Sequence, residues 1–349
     1  MRFPGTAALT LVLAVGLVAC SPPGAPPGAS PSPSTGATPT LRELSGTAGI
    51  AFGTAINVGL LDDPVYAGIA SSQFGSVTAE NAMKWAEIEP TRGTYDWTAA
   101  DRLVDFAIAN GQSVRGHTLI WHNQTPAWLE GAAAAMTDAE FADLVKKHVQ
   151  DEVGHFKGKI WQWDVVNEAL DDGGAPRDTI FRQRLGPDYI AQVFTWAHEA
   201  DPAALLFYND YGIEDGNSKT DAVLALVKDL KARGVPIDGV GFQAHYDTAY
   251  LVPSSLPDVM KSFTDAGLKV AVTEMDVRGD GSADKVAKYY TTTLDACRGN
   301  PGCLSFTVWG ISDKDSWIPQ AFPGKTPYCL YDAAYRPNPW FADVAAALS

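Results

Sequence analysis

From Leu41 onward, short apolar runs rich in β-branched residues alternate with helix-patterned stretches about eight times. The runs are Ile50–Ala55, Gly75–Thr78, Ser113–Ile120, Ile160–Asn167, Leu205–Asn209, Val240–Ala244, Val270–Glu274 and Leu304–Trp309. Between them lie segments of helical period such as Ala99–Ala109, stopped by Asn110-Gly111, and Asp221–Ala232, stopped by Arg233-Gly234. Regular β-then-α alternation implies a parallel sheet flanked by helices, and eight units fit closure into an α/β fold of the (β/α)8 TIM-barrel type. A doubly wound open sheet is the alternative, but no Gly-rich phosphate loop follows the first run. One catalytic domain is expected over residues 41–349.

Closure turns sequence position into geometry, because residues at the C-terminal ends of barrel strands converge on one face. Those ends carry Glu80 and Asn81 with Lys84, His117 with Trp121, Asn167 with Glu168, and Asn209 with Asp210. Further along come Gln243 and His245, Glu274 and Asp276, and Trp309. Polar groups at every strand end are costly to bury without a use. Glu168 and Glu274 each emerge from an apolar run, WDVVNE and VAVTEMD. Two carboxylates facing one cleft are the minimal equipment for breaking a glycosidic bond. A retaining hydrolase needs one as a protonated acid and the other as an ionised nucleophile, in environments that separate their pKa values.

Alternation adds detail. Glu274 and Asp276 are two apart and face the same side of an extended segment, as do Gln243 and His245. A histidine between Glu274 and Asp276 is suited to holding the nucleophile ionised. His117 and His122 are five apart and point to opposite faces, which argues against a two-histidine metal site. His117 shares its face with Trp121, and His122 is expected to support the loop. Lys84 is placed to bond sugar hydroxyls, and Trp309 and Trp317 to stack on a pyranose ring.

A net charge of −15 argues against nucleic acid or anionic membrane as the partner and suits a neutral substrate. Cys297 and Cys303 close a short loop and are expected to pair in an oxidising compartment, leaving Cys329 as a buried or free thiol. The cysteine spacings offer no tetrahedral zinc site, and no cofactor is expected. Arg2 precedes an apolar run, Ala7–Ala19, too short to span a bilayer and read as a signal peptide over residues 1–19. It ends in Leu17-Val18-Ala19-Cys20, which resembles a bacterial lipobox with Cys20 as the lipidated residue; an ordinary signal peptide is the alternative. Residues 20–40, nearly all Pro, Gly, Ser, Ala and Thr, form a semi-extended tether of up to ~3 Å per residue. The expected location is extracellular, held at the cell surface by the lipid or else secreted.

Seven collinear motifs carry a resemblance to glycoside hydrolase family 10, the retaining endo-1,4-β-xylanases of clan A. They are TAENAMKW (78–85), GHTLIWH (116–122), WDVVNEAL (163–170), LFYNDYGIED (206–215), KARGVPIDGVGFQAHY (231–246), VAVTEMDVR (270–278) and TVWGISDKDSW (307–317). The resemblance implies Glu168 as acid/base and Glu274 as nucleophile, with Asn167 bonding the 2-hydroxyl of the attacked sugar. It puts Gln243 and His245 beside the nucleophile, with Asp276 behind His245. It gives Glu80, Asn81, Lys84, His117 and Trp121 to the glycone subsites, with Trp309 and Trp317 roofing them. Tyr208 and Asn209 fall to the aglycone side or to support. Xylan and xylo-oligosaccharides are the implied partners, met by a monomer.

The pattern departs from the family in having no cysteine between Cys20 and Cys297 and in a short Gly279–Ser282 stretch after the nucleophile. No carbohydrate-binding module is expected. A clan A β-1,4-glucanase or dual enzyme is the rival reading within catalysis. A non-catalytic sugar-binding lipoprotein is the rival outside it, and the presence of both glutamates speaks against it.

Overall fold

The structure, a computed structural model, describes residues 38–349. The expected signal segment, Cys20 and the tether up to residue 37 lie outside the described residues. Within them, eight parallel strands succeed one another around a closed barrel. They are β1 (Ala51–Ile56), β2 (Ser76–Ala79), β3 (Ser113–Trp121), β4 (Ile160–Asn167), β5 (Leu205–Asp210), β6 (Gly239–Phe242), β7 (Lys269–Gly279) and β8 (Cys303–Val308). The ring closes where β1 meets β8, in register from Ala51↔Ser305 to Thr54↔Val308. The architecture is the (β/α)8 barrel that the alternation implies.

Each strand leads into an outer helix: Pro64–Gln73, Thr98–Ala109, Asp138–His155, Tyr189–Ala200, Ser218–Ala232, Leu256–Asp265, Ala283–Arg298 and Phe341–Leu348 in turn. Helical period decides which side faces inward. Ala283–Arg298, for example, buries Val286, Tyr289, Tyr290, Thr293, Leu294 and Cys297 along one stripe. Each large apolar side chain taken fully out of water contributes ~1.5–3 kcal/mol. A disulfide joins Cys297 at the end of that helix to Cys303 at the start of β8, and Cys329 is a buried free thiol.

A helix at Leu41–Ala48, opened by a Thr40–Glu43 capping box, precedes β1. Its Arg42 donates to the carbonyls of Asn110 at 2.8 Å and Gly111 at 2.6 Å, just before β3. The chain therefore enters the barrel on its floor, at the end opposite the C-terminal strand tips.

Three elements differ from the sequence reading by more than one residue at a boundary. The helix expected from Asp221 begins at Ser218, because the Asn217 side chain accepts from the Thr220 amide and caps it. The sixth run ends at Phe242 rather than Ala244, and a short strand, His245–Asp247, resumes beyond it. The seventh run extends from Lys269 to Gly279, since His245–Asp247 and Thr326–Pro327 both pair with its outer half.

Space inside the barrel is tight near the strand tips. A Cβ on Gly241 would lie 2.2 Å from Asn209 Oδ1 and 2.7 Å from Thr273 Cγ2. Glycine there leaves Asn209 room to reach the barrel axis.

Candidate active site

A cleft of about 780 Å³ opens over the C-terminal strand tips. It is lined by Glu80, Asn81, Lys84, His117, Trp121, Asn167, Glu168, Gln243, His245, Glu274, Trp309 and Trp317. Strand-end position thus brings twelve of the residues singled out in the sequence to one surface. Asp276 lies behind the wall and touches His245 and Trp317.

Glu274 is buried and ringed by donors. Asn209 Nδ2 donates to its Oε1 at 2.7 Å, and His245 Nε2 lies 3.3 Å from its Oε2. Arg115 Nη2 and His117 Nδ1 stand 3.8 and 3.9 Å from Oε1. Burial pushes the Glu274 carboxyl up, but the His117 and His245 rings and the Arg115 guanidinium prevail and hold it at about 2. His245 shows the converse balance. Burial lowers its pKa, yet the carboxylates of Asp276, 2.8 Å from Nδ1, and Glu274 raise it to about 10. The imidazolium is therefore clamped between two anions, as the spacing of Glu274 and Asp276 suggested.

Glu168 has different company. Trp121 Nε1 donates to its Oε2 at 2.9 Å, Gln243 Nε2 to its Oε1 at 2.9 Å, and Asn167 Nδ2 to Oε1 at 3.3 Å. These hydrogen-bond partners are all neutral. His122 stands back at 4.0 Å, in keeping with a supporting place. Glu168 itself has φ +56, and its amide donates to Asn209 O at 2.9 Å, so the backbone turns sharply as β4 ends.

Lys84 is buried, donating to Asn81 Oδ1 at 3.0 Å and Gln124 Oε1 at 2.7 Å, with its ammonium 4.9 Å from the Trp121 ring centre. Burial lowers its pKa against the pull of Glu274, Glu80 and Glu168, and burial raises that of Glu80. Trp309 packs edge-on to His117 with ring centres 5.3 Å apart, and Trp317 Nε1 donates to Asp276 Oδ2 at 2.6 Å.

One placement differs from the expectation. Gln243 does not accompany His245 at Glu274; it bonds Glu168 and, at 3.2 Å, Asn167 Oδ1. Ala244 between them has φ +58, which breaks the alternation that puts residues two apart on one face. Asn209 takes the supporting place of the two that the resemblance left open, buried on the axis between Asn167 and Glu274. Tyr208 lies behind Glu168, accepting from the Ala169 amide at 3.1 Å and donating to Asp210 Oδ2 at 2.5 Å.

Sequence reasoning passed over Arg115 and Asp164, which are fully buried, Arg115 beside Glu274. Arg115 is ion-paired with Asp164 and donates to Thr273 O at 3.1 Å; His117 Nδ1 lies 2.8 Å from Asp164 Oδ2. A signal was available, since Arg115 stands two before His117 and Asp164 four before Glu168 in apolar runs. The donor atoms of His117, Asp164 and Glu274 lie within 4.8 Å of one another, a metal-like grouping, but the Arg115 guanidinium already supplies positive charge there. Gln124, Tyr211 and Phe322 also line the cleft from loops, and Arg278 lines it from the end of β7; none of the four was singled out from the sequence.

Comparison with known proteins adds family and fold context. The sequence model of Glycosyl hydrolase family 10 matches residues 40–347. The chain is 40% identical over 289 residues to endo-1,4-beta-xylanase B of Thermotoga neapolitana, covering 81% of this chain and 83% of that protein. Native xylanase 10B from Thermotoga maritima superposes with a TM-score of 0.84 at 40% identity, over 88% of this chain and 98% of that one. Xylanase 10B from Thermotoga petrophila, solved in complex with xylobiose, gives 0.85 at 39% identity, over 90% and 98%.

Proposed function

We infer the function from one premise: this chain belongs to glycosyl hydrolase family 10. It is a glycoside hydrolase, a retaining endo-1,4-β-xylanase that cuts internal β-1,4-xylosidic bonds of xylan by double displacement. The observation that carries the assignment of roles is the asymmetry of the two glutamates in one cleft. Glu274 is held ionised among His245, His117 and Arg115, while Glu168 is hydrogen-bonded only by neutral groups.

Glu274 is accordingly the nucleophile and Glu168 the acid/base. In the first step Glu168 gives its proton to the glycosidic oxygen as a Glu274 oxygen bonds the anomeric carbon and the leaving chain departs. In the second, Glu168 takes a proton from water, which attacks the same carbon and releases Glu274. Asn167 commits its Oδ1 to Asn209 and Gln243 and one amide proton to Glu168, which leaves the other amide proton to meet the 2-hydroxyl. Glu80, Asn81, Lys84, His117 and Trp121 form the glycone wall, roofed by Trp309 and Trp317.

Reducing-sugar release from xylan, run beside carboxymethylcellulose, tests the substrate. Xylan turnover with little glucan turnover is expected. Comparable rates on both would favour a dual enzyme, in which the tryptophan roof tolerates the extra hydroxymethyl group. For location, residues 1–19 serve as a signal, Cys20 as a lipid-modified anchor and residues 20–40 as a tether to the catalytic domain. The Leu17–Cys20 motif and the Pro/Gly/Ser-rich run behind it support this reading. Mass spectrometry of the mature N-terminus tests it, and an unmodified N-terminus would point to secretion.

A further inference from the structure

Gln243 and His245 leave one short segment for different carboxylates. Gln243 Nε2 donates to Glu168 Oε1 at 2.9 Å, whereas His245 Nε2 lies 3.3 Å from Glu274 Oε2. On an unbroken strand both would crowd the same side. Ala244 makes the division with φ +58, a left-handed conformation that alanine adopts rarely and that persists only where the surroundings over-determine it.

The flanks of this turn are fixed by backbone. Gln243 N donates to Asp210 O at 3.0 Å, and His245 pairs in register with Asp276. The Ala244 amide falls between β6 and the strand at His245–Asp247, outside both ladders, and Ala244 is fully buried. An amide in that position needs a partner, because an unpaired buried N–H is costly. Its partner is Glu214 Oε1 at 2.8 Å, a buried carboxylate from the loop between β5 and the helix Ser218–Ala232. Glu214 does not line the cleft, and no step of the reaction uses it.

We propose that Glu214 is a positioning residue of the double displacement: by holding the Ala244 amide it fixes the turn that sends Gln243 to the acid/base and His245 to the nucleophile. The proposal rests on the roles given above to Glu168 and Glu274. It does not restate them, since Glu214 touches neither. Two catalytic carboxylates are thereby oriented by one hydrogen bond to a backbone that neither belongs to.

The test compares kcat and KM on a xylo-oligosaccharide for wild type, E214A, E214D, E214Q and E214A/A244G, with crystal structures of wild type and E214A. E214A is expected to lose on the order of 10²-fold in kcat, the scale of a misplacement near 1 Å, with KM little changed. E214D, whose oxygen is drawn back by one methylene, is expected to lose kcat as well, and it serves if E214A does not fold. E214Q keeps the accepting oxygen and is expected to recover most of the rate. E214A/A244G is expected to recover part of it, because glycine takes a positive φ without penalty, whereas a lost packing contact would not be mended by removing a methyl group. In the E214A crystal, Gln243 leaves Glu168 or His245 leaves Glu274. Wild-type kcat in E214A or E214D overturns the proposal, as does an E214A crystal with both contacts intact. If wild type itself does not turn over xylan, the assigned reaction fails, and the crystal contacts alone then decide the role of Glu214.

Discussion

Asn209 and Glu274 are joined at 2.7 Å, Nδ2 to Oε1, and the same amide nitrogen reaches Asn167 Oδ1 at 2.8 Å. Thr273 Oγ1 in turn donates to Asn209 Oδ1 at 2.7 Å, which fixes which way the amide faces. One asparagine on β5 therefore ties the nucleophile on β7 to the residue beside the acid/base on β4.

Replacing Asn209 with alanine removes a donor from Glu274 and releases Asn167 at once. The expected result is a fall in kcat of ~10²-fold on xylo-oligosaccharides, from loss of a group that orients the attacking oxygen. Steady-state kinetics checks it. A change confined to KM would mean that Asn209 serves binding rather than orientation.

Glu168 is needed in proportion to how badly the leaving group needs a proton. Glu168→Ala is expected to lose far more activity on xylan than on an aryl xyloside with an acidic phenol. Glu274→Ala is expected to abolish turnover of both. Parallel assays of the two substrates give the answer, and equal losses in Glu168→Ala would deny it the acid role. Proton NMR of the first product is expected to show the β-anomer, as retention requires.

Arg115 stands beside Glu274 in an ion pair with Asp164, both fully buried. Arg115→Met strands that carboxylate, and removing one partner of a buried pair costs ~3–5 kcal/mol. Denaturant unfolding is expected to register the loss. The same change withdraws a cation from 3.8 Å of Glu274, so the acid limb of kcat/KM is expected to move to higher pH. An unmoved limb would limit Arg115 to a structural part.

Stability should depend on pH from two sides. Glu274 goes from an ordinary 4.5 down to about 2 on folding, so what it contributes is complete above pH 4.5 and lost as pH falls through about 2. His245 rises from 6.5 to about 10, so its contribution is complete below pH 6.5 and lost as pH climbs through about 10. Both are complete between about pH 4.5 and 6.5. Thermal unfolding of wild type and Glu274→Gln across pH 2–10 compares them. The gap between the two is expected to narrow as pH falls below 4.5, and a constant gap would contradict the depressed carboxyl.

Much of this was legible in the chain itself. Apolar runs at regular intervals set the barrel, and strand-end position gathered Glu80, His117, Glu168, Glu274 and Trp309 on one face. The His245 bridge followed from the two-residue spacing of Glu274 and Asp276. Gln243 was not legible there because the strand breaks at Ala244, where residues two apart no longer share a face. Arg115 and Asp164 were missed because a buried charge inside an apolar run reads as an exception until its partner is seen.

Sequence periodicity by itself determined the fold and most of the groups that face the cleft, since burial of alternating side chains is local and repeats along the chain. The tertiary structure alone decided which carboxylates Gln243, Asn209 and Arg115 serve. Those pairings depend on hydrogen bonds between residues tens of positions apart, such as Ala244 to Glu214 and Asn209 to Glu274. Directional contacts of that kind form only once closure of the barrel fixes the distance and angle between strands.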